Sequence, residues 1–221
     1  MKTIQFLLLL ILVSISAVTA QTTKGSGGPD TFGYFWKDSN ESGGPVYDWY
    51  DISSIGTSLS ISDEDISGSI GLGFNFDYYG TTYSSIKVCD NGYLSFTSDF
   101  IEYDPSYGIP NTRVPNCILA PYWIDLDPSN SSGGIYYYSD TQNSRFIVQY
   151  DNIVNWGGSS GNTFQVILNS DNTICYQYES MNGILDECVI GIENETGEDD
   201  LQVAYFENYI QNGLSVLFYS S

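Results

Sequence analysis

Two aspartates one residue apart, Asp125 and Asp127, close the stretch CILAPYWIDLDP at 117–128. Carboxylates so placed beside a loop are oxygen donors for a hard cation. Calcium takes about six to eight oxygens from carboxylates, carbonyls and water, and Asp30, Asp38 or Asp51 could complete such a set. The plainer reading is turn-forming aspartates that bond nearby backbone N–H groups, since no full calcium loop is present. Paired carboxylates also cleave glycosidic bonds when about 5 Å or about 6.5–9.5 Å apart, a spacing that sequence does not display. The chain has no histidine. That removes the usual general base, the usual zinc ligand and every Ser-His-Asp or Cys-His arrangement. The expectation is a non-enzyme, with a carboxylate glycosidase as the residual catalytic class. Asp63-Glu64-Asp65 and Glu198-Asp199-Asp200 read as solvated acidic turns.

Aromatic residues are the second resource, with 19 tyrosines and 4 tryptophans. Trp36, Trp49 and Trp123 are most simply core aromatics. Trp156, followed by Gly157-Gly158-Ser159-Ser160-Gly161, reads as an exposed ring. Tyr136-Tyr137-Tyr138 must turn at least one ring outward, because side chains alternate along a strand. Exposed rings beside carboxylates and amides suit stacking on sugars or packing on a protein.

These residues must be carried outside the cell. Lys2, the apolar run Phe6–Val13 and the small residues of Ala17–Ala20 form a secretory signal peptide over 1–20. Acidic residues number 27 against 6 basic, a net charge of −21 that becomes about −22 once Lys2 leaves with the leader. Such a surface repels phosphate backbones, so nucleic acid is not an expected partner. No second apolar run is long enough to span a membrane. Four cysteines in a secreted chain read as two disulfides. Cys175 and Cys188 flank an expected hairpin and are paired, which leaves Cys89 with Cys117. Asn40, Asn130 and Asn194 are N-glycosylation sequons.

The elements that would position these groups are all strands. Residues 21–29 form a flexible lead-in, and 30–221 a single domain. Tyr34 and Trp36, then Tyr47, Trp49 and Asp51, suggest an opening hairpin around a Gly-Gly-Pro loop. Ile70, Leu72, Phe74 and Phe76 alternate cleanly with small or polar residues. Asn91-Gly92 is a strong hairpin turn. Residues 98–116 carry three prolines and read as a long surface connection over a sandwich edge. Pro121 interrupts any ladder. Ile135–Tyr138 with Phe146–Tyr150, and Thr163–Leu168 with Ile174–Tyr178, form further hairpins, before strands at Val189–Ile192, Leu201–Phe206 and Leu214–Tyr219. No helical periodicity appears. The fold class is an all-β antiparallel sandwich, jelly-roll or Greek-key-like, of about a dozen short strands.

The blocks DTFGYFWKDSNESGGPVYDWYDIS, IGLGFNFDYYGTTYSSIKVCDNGYLSF, ILAPYWIDLDP, FIVQYDNIVNW, TFQVILN and VIGIENETG, in that order, resemble a β-sandwich domain of secreted, mostly microbial, modular proteins. That domain accompanies subtilisin-like peptidases, repeat modules and sorting tails. The central portion, from NGYLSF through APYWIDLDP to IYYY, also resembles the extracellular nidogen-type domain. The resemblance implies a non-catalytic extracellular module. The four cysteines depart from it, standing where small or apolar residues are expected, and no catalytic, repeat or sorting region is attached. The function expected is adhesion to, or assembly within, a cell-surface or matrix structure, including a self-assembling filament or sheath. The partner is then a protein. The alternative is a carbohydrate-binding module with Trp156 and Tyr136–Tyr138 as its platform and a glycan as partner.

Overall fold

Ile70, Leu72, Phe74, Phe76 and Tyr78 turn to one side of a nine-residue strand, while Gly71, Gly73, Asn75 and Asp77 face solvent. Period-two segments of this kind build the whole of the computed structural model, which describes residues 25–220. The leader at 1–20 lies outside the described residues. The strands are β1 (Ser26–Gly27), β2 (Tyr34–Asp38), β3 (Thr57–Leu59), β4 (Ile70–Tyr78), β5 (Thr81–Val88), β6 (Leu94–Ser95), β7 (Ile118–Trp123) and β8 (Leu126–Asp127). They continue as β9 (Gly134–Asp140), β10 (Arg145–Asn155), β11 (Gly161–Asn169), β12 (Ile174–Met181), β13 (Val189–Glu193), β14 (Asp200–Tyr205) and β15 (Leu214–Ser220). One 3-10 turn, Pro128–Asn130, is the helical content of the described residues.

Two antiparallel sheets pack face to face. The larger runs β1-β2-β15-β12-β11-β10-β9-β3, with β8 added beside β10, and the smaller runs β14-β13-β7-β6-β5-β4. The chain changes sheet after β3, β7, β12 and β14. Pro121 does sit inside β7, at a register shift between β7 and β13 where no ladder bond is required of it.

The tyrosines explain themselves between the sheets. Tyr150, Tyr176 and Tyr178 rise fully buried from the larger sheet. Their hydroxyls donate across the sandwich to carbonyls of Cys89, Gly191 (2.9 Å) and Pro121 (2.7 Å). Gly191 and Pro121 flank the β7–β13 irregularity, so these side chains satisfy backbone acceptors that the ladder leaves free. Most of the tyrosine excess is therefore structural.

Two long connections differ from the sequence expectation. Tyr47, Trp49 and Asp51 do not form the second half of a hairpin. Residues 47–52 lie as a strap across the outer face of the larger sheet, and Trp49 is half-buried there, not in the core. Gln149, Gln165 and Gln177, register neighbours on β10, β11 and β12, hold the strap. Gln149 accepts from Ile52 N (2.9 Å), Gln165 donates to Tyr50 O (2.8 Å) and Gln177 accepts from Asp48 N (3.1 Å). Residues 98–116 cover the outer face of the smaller sheet, not an edge. Tyr93 and Trp123 pin them by donating to Phe100 O and Glu102 O (2.7 and 2.9 Å). At the start, Ser26–Gly27 pair with β2, so the ordered domain begins within the expected lead-in.

The disulfide expectation is corrected. All four cysteines are free buried thiols. Cys175 on β12 turns to the outer face beside Ile52, Ile147 and Ile167, whereas Cys188, ahead of β13, packs between the sheets. β12 and β13 belong to different sheets, so the expected Cys175–Cys188 hairpin does not exist. Cys89 and Cys117 likewise occupy separate clusters.

Glu193, 1% exposed at the end of β13, accepts from Asn111 N at 2.8 Å and anchors the 98–116 connection. Burial is the main cause that pushes its carboxyl up to about 8. The folded state then binds a proton that the unfolded chain, titrating near the ordinary glutamate value of 4.5, has already lost. Its contribution to stability is full below that value and drains as pH climbs to about 8. Urea midpoints compared at pH 5 and pH 8 are expected to show a loss of a few kcal/mol at the higher pH, at about 1.4 kcal/mol per pH unit. Glu193→Gln, which keeps the acceptor for Asn111, is expected to flatten that slope.

Candidate functional site

The site is built at one end of the sandwich, where the corner after β5 meets the corner after β7. Asn91-Gly92 turns the chain from β5 to β6, with Gly92 at φ +73°. Its Cα lies against the backbone of Tyr122, so close that a Cβ would fall 2.0 Å from Tyr122 O. This close approach lets Asn91 grip the segment after β7. Its carbonyl accepts from Ile124 N (3.3 Å) and its Oδ1 accepts from Leu126 N (2.9 Å). Asp125 is thereby held at the rim.

Asp90, fully buried next to Asn91, recruits the acidic turn from far back in the chain. Its Oδ2 accepts from Glu64 N at 2.7 Å, and its own N–H donates to Asp65 O at 3.0 Å. Ser129 Oγ accepts from Asp63 N at 3.1 Å. Glu64 is held at φ +54°, an unfavourable conformation for a side-chain-bearing residue that clusters at functional sites. Asp63, Glu64 and Asp125 so converge that one carboxylate oxygen from each lies within 4.8 Å of the others.

The third contribution is Trp156. Its N–H donates to Asp125 O (3.1 Å), and Gly158 N closes the turn onto Asn155 O (2.8 Å). Asn155, almost wholly buried, anchors this turn by accepting from Ile184 N (3.0 Å) and Asn162 Nδ2 (3.1 Å). The indole is displayed with 63% of its surface exposed. Trp156 and Tyr103 complete a recess of about 290 Å³ with the three acids.

Among the described residues, no basic side chain lines this recess. Burial first, then Glu64, Asp63 and Asp127, push the Asp125 carboxyl up to about 6. Burial also raises Asp63, with help from Asp127, and Glu64, with help from Asp63. Among the described residues, the shielded Oδ1 atoms of Asp63 and Asp125 have no hydrogen-bond partner. Converging carboxylates, two of them carrying an unpartnered oxygen, fit a hard divalent cation, whose remaining ligands would be carbonyls and water. Nothing in the recess supplies a nucleophile-and-base pair.

The expected residues are only partly assembled here. Asp125 and Trp156 belong to the site. Asp127 does not: it is 4% exposed and accepts from Asn130 N and Nδ2 to cap the 3-10 turn. Asp30 binds Gly33 N, Tyr34 N and the Tyr79 hydroxyl, Asp38 binds Asn40 N and the Tyr209 hydroxyl, and Asp51 binds Ser53 N and Gln149. All three are structural turn residues. Tyr136 and Tyr138 lie on the outer face with Ile52, and Tyr137 turns inward to stack on Phe146. The tyrosine run therefore does not join Trp156 in one platform. Asn40 is exposed, whereas the Asn130 side chain is engaged by Asp127 and that of Asn194 by Glu198 N and Thr196. Asp63, Glu64 and Tyr103 were missed as site residues, because nothing in their local spacing marks them.

Two antiparallel sheets with an acidic, aromatic loop cluster at one end define a β-sandwich module. The chain belongs to the NIDO-related family, whose model it matches over residues 38–212. It is 26% identical to alpha-tectorin of Mus musculus over 142 residues, and equally to alpha-tectorin of Homo sapiens. Each match covers 52% of this chain but only 6% of the tectorin. No solved structure matches it significantly. The family match supports the nidogen-type half of the sequence resemblance; the peptidase-accessory half is not carried by it. No helix of the described residues is long and apolar enough to cross a membrane.

Proposed function

We propose that this chain is a secreted, non-catalytic adhesion module that binds within a cell-surface or matrix structure through the face formed by Trp156, Tyr103 and the Asp63–Glu64–Asp125 cluster. The observation that carries the reading is Trp156 itself. A tryptophan 63% exposed, presented by a turn whose anchor Asn155 is buried, gives up a large apolar area to solvent. Such a ring is characteristic of binding hot spots. The nidogen-type family supports an extracellular setting, and the acidic surface keeps such a module soluble. Calcium at the three carboxylates would stiffen the 62–66 turn against Asp125, and through the Trp156 N–H bond would steady the indole.

Beads coated with the domain and applied to a reconstituted extracellular-matrix gel test this reading. Wild-type beads are expected to be retained. Trp156→Ser beads are expected to bind at least about tenfold more weakly, the size of a hot-spot truncation above 1.4 kcal/mol. Their melting temperature should be unchanged, because the ring is not part of the core. Retention unaffected by Trp156→Ser would overturn the assignment of the face.

A further inference from the structure

Trp156 lines two recesses. One is the acidic recess of about 290 Å³; the other, of about 350 Å³, is lined by Asn155, Asn182, Ser159, Ser160 and the backbone of Gly157 and Gly158, with Ile184 at its edge. We propose that the face binds an uncharged oligosaccharide that crosses Trp156, with one sugar in each recess. This rests on the adhesion reading of the same face and names its ligand class.

A pyranose has an apolar C–H face and a rim of hydroxyls, each able to donate and to accept. The indole and Tyr103, 63% and 51% exposed, offer flat apolar surface to the ring. The acids accept hydroxyl protons. Beneath them the wholly buried Asn91 turns its side-chain amide toward Glu64. The acidic recess thus offers unspent acceptors, to which a sugar hydroxyl donates directly or through a water. In the second recess the exposed Ser159 and Ser160 are two-way hydrogen-bonding groups, and Asn182, whose Nδ2 donates to Gly161 O and Ser180 Oγ, offers its Oδ1 as an acceptor. Open glycine backbone there lets a ligand approach closely.

Other occupants fit less of this surface. The core of a protein–protein interface is depleted in charge, and here carboxylates lie directly beside the ring. A basic side chain would satisfy the acids but leave the amide and serine recess unused. Sulfated or sialylated glycans bring negative charge to three carboxylates, whose charge exceeds that of one bound divalent cation.

An array of neutral, sialylated and sulfated oligosaccharides, probed with fluorescent wild-type protein and with W156S and W156F, tests the inference. Retention on neutral glycans is expected, weakened about tenfold or more in W156S and kept within a few-fold in W156F. No retention on neutral glycans, retention confined to charged ones, or full binding by W156S would overturn it. Capture of an arginine-rich peptide in their place would assign the face to a protein partner. Periodate treatment of the matrix gel separates the two proposals. Trp156-dependent retention that survives it sinks the glycan inference and leaves the adhesion reading standing.

Discussion

Calcium is expected to raise the melting temperature of the domain by about 5–10 °C when present at one hundred times its Kd. A ligand that binds only the folded state contributes about 2.7 kcal/mol at that ratio, and a domain of this size gains about 2–4 °C per kcal/mol. The effect arises from the Asp63–Glu64–Asp125 cluster, where the ion would supply the missing partner of two shielded carboxylate oxygens. Asp125→Asn is expected to abolish the calcium response. It should also raise the ion-free midpoint, because it removes a partly buried charge that Glu64 and Asp63 repel. The calcium response should be largest above pH 6 and fade below it, as protons compete for Asp125, whose carboxyl titrates near about 6. A midpoint that calcium leaves unchanged in wild-type protein would dispose of the cation reading.

Gly92→Ala is expected to cost about 3–5 kcal/mol. A left-handed φ costs a side-chain-bearing residue about 1–2 kcal/mol. Here the new Cβ would also fall 2.0 Å from Tyr122 O, a backbone atom that cannot turn aside. Gly157→Ala is the matched control, because Gly157 has a similar φ of +70° and open space around its Cα. It should lose only the conformational part. Relief of the Gly92 clash must push the Asn91 corner away from Ile124–Leu126, so the calcium response should fall with stability. Equal urea midpoints for the two variants would show that the hairpin corner does not clamp the site.

The fold was legible where side chains alternate. Ile70–Phe76, Phe146–Tyr150 and Phe164–Leu168 declare strands by period alone, and Asn91-Gly92 declares a turn by its need for left-handed backbone. The strap at 47–52 was not legible, because it alternates like a strand yet bonds to glutamine side chains on another element. Ser26–Gly27 carry no strand signal, and Gly27 is admitted because the Trp36 indole leaves no room for a Cβ. The cysteines misled because an even count in a secreted chain says nothing of which sheet each one joins.

At the site, Asp125 and Trp156 were legible one by one, as an acid beside a loop and an aromatic beside glycines. Their partners were not. Asp63 and Glu64 reach Asp125 only because Asp90 captures the Glu64 amide, and that bond depends on the β5–β6 corner and on no local pattern. Asp127, which shares the Asp-x-Asp spacing, is taken by the cap of the next turn.

The most direct test of the central claim measures Trp156 in the unmodified protein as it binds. Acrylamide quenching of tryptophan emission, on free domain and on domain held by the matrix gel, isolates the exposed indole as the quenchable component that W156F lacks. That component is expected to disappear on binding. Quenching that persists undiminished in the bound protein would place the partner elsewhere on the sandwich and contradict the assignment of this face.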